Sequence, residues 1–138
     1  MTTYEFSADP SRIDAVWVHE ILSTQAYWAL GRSRATQDTV IAGSRNYGVY
    51  ATDGAQVAYA RAVTDGATFA WIADVVVDPA HRRRGLGTML VDGLMGDLDT
   101  LGLKRVLLKA SPEGRDLYRR AGFGDLDDPA TWLLRKLS

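Results

Sequence analysis

The sequence predicts an α/β (α+β) fold built on a mixed, mostly antiparallel sheet flanked by helices. Three observations carry that prediction. Asp53-Gly54 and Asp65-Gly66 are two-residue turn signals between alternating apolar runs, so three consecutive strands run antiparallel. Leu86, Met89, Leu90, Leu94, Leu98 and Leu101 recur at helical spacing between two strand-like runs, and a crossover of that length makes the flanking strands parallel. A chain of 138 residues, 46% apolar and 24% charged, is the size and composition of one globular domain, expected over 1–138.

The elements follow in order. Residues 2–7 alternate around Tyr4 and Phe6 as a first strand. Asp9-Pro10-Ser11 signals a helix start with Asp14 in the first turn, and Ile13, Val16, Trp17 and Ile21 share one face. Residues 23–34 are aromatic and polar at once and are broken by Gly31; Tyr27 and Trp28 there read equally as core filling or as a wall of a substrate pocket. Residues 36–44 predict a second short helix with Val40 and Ile41 facing in. Strands are expected at 47–51, 57–63 and 68–78, the last ending in β-branched Val75, Val76 and Val77 before Pro79, which has no N–H for a ladder. A helix over about 84–101 and a strand over 105–109 complete the crossover. Ser111 then caps a short helix with Pro112 at its first position, Gly122 ends it, and residues 132–137 predict a final strand.

Composition bounds the function. A net charge of −1 gives no overall basic footprint for nucleic acid or a membrane surface. The absence of cysteine excludes disulfides, thiolate metal sites and a catalytic thiol, and no metal is expected. No signal-peptide pattern and no apolar run of membrane-spanning length are present, so a cytoplasmic protein is the default.

The chemically loaded stretch is the junction from Asp74 to Leu90. The first turn of a helix offers unpartnered backbone N–H groups and partial positive charge. Gly85 and Gly87 let a bulky anion approach the backbone, and Arg82, Arg83 and Arg84 add full charges. The natural guest is a phosphate or pyrophosphate. A Walker A loop is absent, and a dinucleotide fingerprint fails because position 90 is Leu. What remains is Arg/Gln-x-x-Gly-x-Gly/Ala, matched by Arg82, Gly85 and Gly87.

After its strand, this loop resembles the pyrophosphate loop of the GNAT N-acetyltransferase superfamily. Downstream, Leu117-Tyr118-Arg119-Arg120-Ala121-Gly122-Phe123 resembles the Leu-Tyr-x-x-x-Gly-Phe motif of the same superfamily. The run from Leu22 to Arg32, the stretch 70–77 and Pro129-x-x-Trp132 look like a branch of small bacterial members known mostly as uncharacterised acetyltransferases. The resemblance implies a GNAT fold in which the central strand splays from the parallel strand after it. It implies acetyl-CoA as cosubstrate in that gap, with pantetheine on the backbone of Val75, Val76 and Val77. The pyrophosphate is expected on the loop made by Arg82, Arg83, Arg84, Gly85, Leu86, Gly87 and Thr88. Many members carry Asn about seven residues before the motif tyrosine; here that position is Ser111, so its cofactor contact departs from the pattern. Members often pair as dimers, and a homodimer is left open.

Chemistry follows from these expectations. With no cysteine to carry an acyl group, a small amine acceptor attacks the thioester directly, helped by proximity in one cleft. A backbone N–H near Val75 is the candidate for holding the oxyanion. Tyr118 is the candidate general acid for the leaving thiolate, since a thiol titrates near about 8.5 and a tyrosine near about 10. Asp74 is the candidate base, on the expectation that a carboxylate inside an apolar strand has a raised pKa. His19 and Glu20 on the first helix are weaker alternatives, and His81 reads as a loop residue at the rim. Tyr27, Trp28, Glu20 and Tyr50, with Asp74, suit a cationic or aromatic amine. The competing reading is a non-catalytic acyl-CoA sensor or interaction module. RNA binding through the arginines is disfavoured by the net charge and by the lack of an aromatic platform beside them.

Overall fold

The computed structural model describes residues 3–137. Its sheet has five strands in the order β1-β2-β3-β4-β5. These are β1 (Tyr4–Ser7), β2 (Arg45–Ala51), β3 (Gln56–Thr64), β4 (Phe69–Val77) and β5 (Arg105–Leu108). The first four run antiparallel, as the tight turns demand, and β5 joins β4 in parallel after the helical crossover.

Helices cover both faces. On one side α3 (Leu86–Asp99) lays Leu86, Leu90, Leu94 and Leu98 over Tyr47, Val49, Val57 and Ile72 of the sheet. On the other, α1 (Ala15–Gln25) packs Val18, Ile21 and Leu22 with Tyr59 and Val76, and α2 (Arg34–Ala42) adds Ile41. The short α4 (Arg115–Arg120) follows a turn of 3-10 helix that Ser111 caps.

Three expectations change. The chain makes a 3-10 turn at Pro10–Arg12 before α1, and Asp14 is the N-cap of α1 rather than part of its first turn. The buried face is therefore Val18, Ile21 and Leu22 at i, i+3 and i+4, while Val16 is 61% exposed. The second helix starts two residues earlier than expected because Ser33 caps it, accepting from Thr36 N. Residues 132–137 form no strand. Leu133, Leu134 and Leu137 are exposed there, and among the described residues β5 is left as an edge strand.

What positions the site is the change in β4 along its length. Phe69 to Ile72 pair with Arg105 to Leu108 of β5, and the parallel ladder stops there. On the β3 side the register shifts between Tyr59, opposite Val76, and Arg61, opposite Ala73. Two steps on β3 thus face three on β4, which is a β-bulge. Asp74 takes the extra turn with φ 56°, a left-handed conformation that Asp tolerates better than most residues. Beyond it β4 diverges from β5.

Candidate functional site

The gap opened by the splay is a cleft of about 290 Å³. Asp74 and Val75 of β4 line it with Leu108, Lys109, Ser111 and Tyr118 across from them, and Tyr27, Trp28, Arg32, Arg61 and Trp71 complete the wall. Tyr27 and Trp28 come from the irregular segment after α1, and their rings meet edge to face at 5.0 Å.

Asp74 is the hub of this wall. Its Oδ1 accepts from Trp28 Nε1 at 2.8 Å, and its Oδ2 accepts from Arg32 Nη1 at 2.8 Å and from Arg61 Nε at 2.7 Å. The expected rise in its pKa is reversed. Burial alone would raise it, but the hydrogen bonds from Arg32, Arg61 and Trp28 outweigh burial and hold the carboxyl below its ordinary value. A carboxylate so occupied is a poor proton acceptor, so the structure removes the physical basis for Asp74 as general base.

Tyr118 projects from α4 into the cleft, and its hydroxyl makes no hydrogen bond among the described residues. Burial raises its pKa, which keeps the phenol protonated at neutral pH. Phe123 braces its ring edge to face at 6.0 Å. Ser111 also lines the cleft while its Oγ accepts from Gly114 N at 3.2 Å, leaving the hydroxyl proton free to be donated elsewhere.

The basic loop lies where β4 runs out. Asp78 caps a 3-10 turn, Arg83 turns left-handed at φ 64°, and Gly85 is the N-cap of α3 at φ 74°. No side chain caps α3, so the N–H groups of Leu86, Gly87 and Thr88 are open at the positive end of the helix. A Cβ on Gly85 would meet nothing within 4 Å, so glycine is required there by φ; at Gly87 it would sit 3.2 Å from Leu117 Cδ2, so that glycine permits close packing of α4. Arg82, Arg83 and Arg84 are exposed. Arg84 Nη1 donates to Tyr4 Oη at 2.9 Å, and Tyr4 Oη lies 2.9 Å from His81 Nδ1, so β1 steadies the loop. This arrangement has the features that an anionic pyrophosphate requires.

Several sequence-predicted residues fall elsewhere. Val76 buries its side chain against Tyr59 and α1, leaving only its backbone for a ligand. Tyr50 is 3% exposed under the Arg12 guanidinium, away from the cleft, and burial pushes its pKa up to about 12. Glu20 is exposed on α1 and does not line the cleft. His19 Nε2 is bound to Arg32 O at 2.8 Å, and so helps to place Arg32. Arg32, Arg61, Trp71 and Lys109 are the residues that sequence reasoning passed over. Arg61 carried a signal: it occupies an inward position of the Val57, Tyr59, Arg61 alternation, where a charge needs a partner.

A sheet splayed beside an uncapped helix start, with a phenol across the gap, is the layout that the GNAT resemblance leads one to expect. The profile of the Acetyltransferase (GNAT) family matches residues 13–123, and the chain belongs to that family. It is 36% identical to a Xanthomonas campestris pv. campestris protein described as belonging to the GNAT family, with a TM-score of 0.90 over 98% of this chain and 94% of that one. It is 41% identical over 73 residues to GCN5-related N-acetyltransferase 1, chloroplastic, of Arabidopsis thaliana, covering 53% of this chain and 36% of that protein. The chain thus spans about a third of the length of the curated relatives it matches. A Clostridium acetobutylicum structure holding acetyl-CoA shares the fold, at 19% identity and a TM-score of 0.70 over 99% of this chain and 96% of that one.

Proposed function

We propose that the chain is an acetyl-CoA-dependent N-acetyltransferase acting on a small amine. The observation that carries this is the splay of β4: it leaves β5 after Ile72, the cleft so opened is lined by Asp74, Val75 and Tyr118, and the strand runs on to the basic loop and the uncapped start of α3. Acetyl-CoA fits its parts. The Arg82 to Thr88 loop takes the pyrophosphate, the backbone of Val75 to Val77 takes the pantetheine arm, and the thioester reaches Tyr118 and Ser111. The unpaired bulge residue at Asp74 and Val75 supplies an N–H for the oxyanion.

The amine nitrogen forms its bond to the acetyl carbon, the carbon–sulfur bond breaks, Tyr118 protonates the departing thiolate, and the nitrogen sheds its remaining extra proton to water, from which the Tyr118 phenol is restored. A tyrosine with a raised pKa hands over its proton only as charge develops on sulfur. The amine must first lose a proton. Arg32, Arg61 and Lys109 outnumber Asp74 in the cleft and disfavour the ammonium form, so the proton leaves to water without a dedicated base. Asp74 is then a positioning residue that aligns Arg32, Arg61 and Trp28. The sensor reading is not favoured, given the family. A net charge of −1 offers nucleic acid and membranes no overall basic face, and this reading keeps the setting cytoplasmic.

The test is thiol release from acetyl-CoA across amino acids, polyamines, aminoglycosides, aryl amines and peptide N-termini, with Tyr118→Phe in parallel. Turnover that falls about 100-fold or more in the variant, with acetyl-CoA affinity retained, is expected. Acetyl-CoA binding without turnover on any amine would sink the catalytic reading.

A homodimer is part of the proposal. A cavity of about 850 Å³ lies away from the chemistry, between residues 104–107 at the free β5 edge and residues 121–128. Residues 133–137 make no backbone hydrogen bond among the described residues, and Leu133 is 95% exposed. One chain thus offers both a vacant edge and a detached apolar segment, and two copies exchanging segments 132–137 satisfy both at once. Light scattering is expected to give a dimer for the parent and a monomer for Leu133→Asp/Leu134→Asp; a monomeric parent at high concentration would rule this out.

A further inference from the structure

We propose that the acceptor amine also carries a small anionic group, a carboxylate first of all, and that Arg32, Arg61 and Lys109 receive it in the cleft. This rests on the acetyltransferase reading and names its substrate class.

The charge balance points that way. The Asp74 side chain is 2% exposed and the two arginine side chains it holds are 16% and 15% exposed. One carboxylate therefore answers two guanidiniums where little water reaches, and a positive charge is left over. Among the described residues Asp74 is the only acid lining the cleft, and Lys109 on the rim adds a third cation. Among the described residues, Arg32 Nε, Arg61 Nη2 and Lys109 Nζ make no hydrogen bond. Guanidinium forks with spare donors match a carboxylate in shape as well as in charge, and the attraction is strong where solvent is excluded.

The rest of the wall limits the body that carries the anion. Tyr27, Trp28, Trp71 and Tyr118 present ring surfaces, and the cleft is near the small end of ligand pockets. An amino acid with an aromatic or apolar side chain meets all these demands. Its carboxylate docks on the arginines and its side chain lies along the rings, while the same cations ease loss of the ammonium proton. Of the cationic or aromatic amine expected, this reading keeps the aromatic body and gives up acidic recognition, because Glu20 is outside the cleft and Asp74 is already paired.

Matched pairs test this: phenylalanine against phenethylamine and tryptophan against tryptamine, in thiol release from acetyl-CoA. The carboxylate-bearing member is expected to have a kcat/KM about tenfold higher or more, mainly through KM. Lys109→Gln changes an exposed side chain, so folding is preserved, and it should shrink that preference several-fold with the KM for acetyl-CoA unchanged. Equal or better use of the decarboxylated amines overturns the proposal. So does a preference for succinyl-CoA over acetyl-CoA that Lys109→Gln abolishes, since the anion would then arrive with the acyl donor. Calorimetry with acetyl-CoA alone separates the two readings. If acetyl-CoA does not bind, the acetyltransferase reading fails. Calorimetry of each pair on the free and CoA-saturated protein still decides the anion preference: tighter binding of the acid supports it, equal binding overturns it.

Discussion

From Ala70 to Ile72, β4 is paired on both sides, to β3 and to β5; beyond the bulge at Asp74 and Val75, Val76 and Val77 are paired to β3 alone. The first half is held by ladders and by Ala70 and Ile72 in the α3-side core. The second half is held by a left-handed residue whose carboxylate is clamped from Trp28, Arg32 and Arg61. One strand is thus scaffold at one end and site wall at the other. The difference teaches that a buried ion cluster is added to packing only in the second half, so charge changes should damage the second half and volume changes the first.

The largest effect is expected from Asp74→Ala. It leaves two nearly buried guanidiniums facing each other without a counter-ion, a loss of about 3–5 kcal/mol in urea unfolding. Asp74→Asn keeps the left-handed tolerance and loses only the charge, so it should cost less. A parent-like midpoint for both variants would mean that the ion cluster does not hold the bulge. The same cluster sets a pH dependence. Because the folded carboxyl lies below its ordinary value of about 3.9, its contribution is complete above that pH and is lost as pH falls through the folded value. The stability gap between the parent and Asp74→Asn should therefore narrow in acid; a gap that widened would contradict the clamp.

A smaller effect probes the paired half. Ala70 is fully buried, and Ala70→Val adds two methyl groups to a filled core, about 1–3 kcal/mol. Because Ala70 does not line the cleft, acetyl-CoA affinity measured on the folded fraction should be unchanged. A matching loss of affinity would show that the halves are not independent.

Legibility in the sequence followed the same division. Strand pairing, the crossover and the Arg82 to Gly87 loop were readable because each is written in contiguous residues with a periodicity or a turn signal. The cleft was legible only in part: Trp28, Asp74 and Tyr118 stood out, while Arg32, Arg61 and Lys109 did not, because they join the cleft from separate elements. Asp74 was picked out as unusual, but the sign of its pKa shift depended on two arginines that only the register brings to it. Tyr50 and Tyr27 look equally suitable as pocket aromatics, yet β2 turns Tyr50 inward while the irregular segment after α1 brings Tyr27 to the cleft. Residues 132–137 have the composition of a strand, but nothing in one chain pairs with them.

The smallest expected effect leaves β4 untouched and stiffens α3 behind it. Gly93 and Gly96 both sit inside that helix, where glycine costs about 0.5–1 kcal/mol relative to alanine. Their surroundings differ: a Cβ at Gly93 would lie 2.5 Å from Phe6 Cε1, while one at Gly96 would meet nothing within 4 Å. Gly93→Ala should therefore destabilise by forcing the ring aside, and Gly96→Ala should stabilise by about 0.5–1 kcal/mol. If the splay is set by the Asp74 clamp, the stiffer Gly96→Ala helix should leave thiol release and its preference among amines as they were. A change in that preference would mean that α3, and not the ion cluster, sets the opening of the second half of β4.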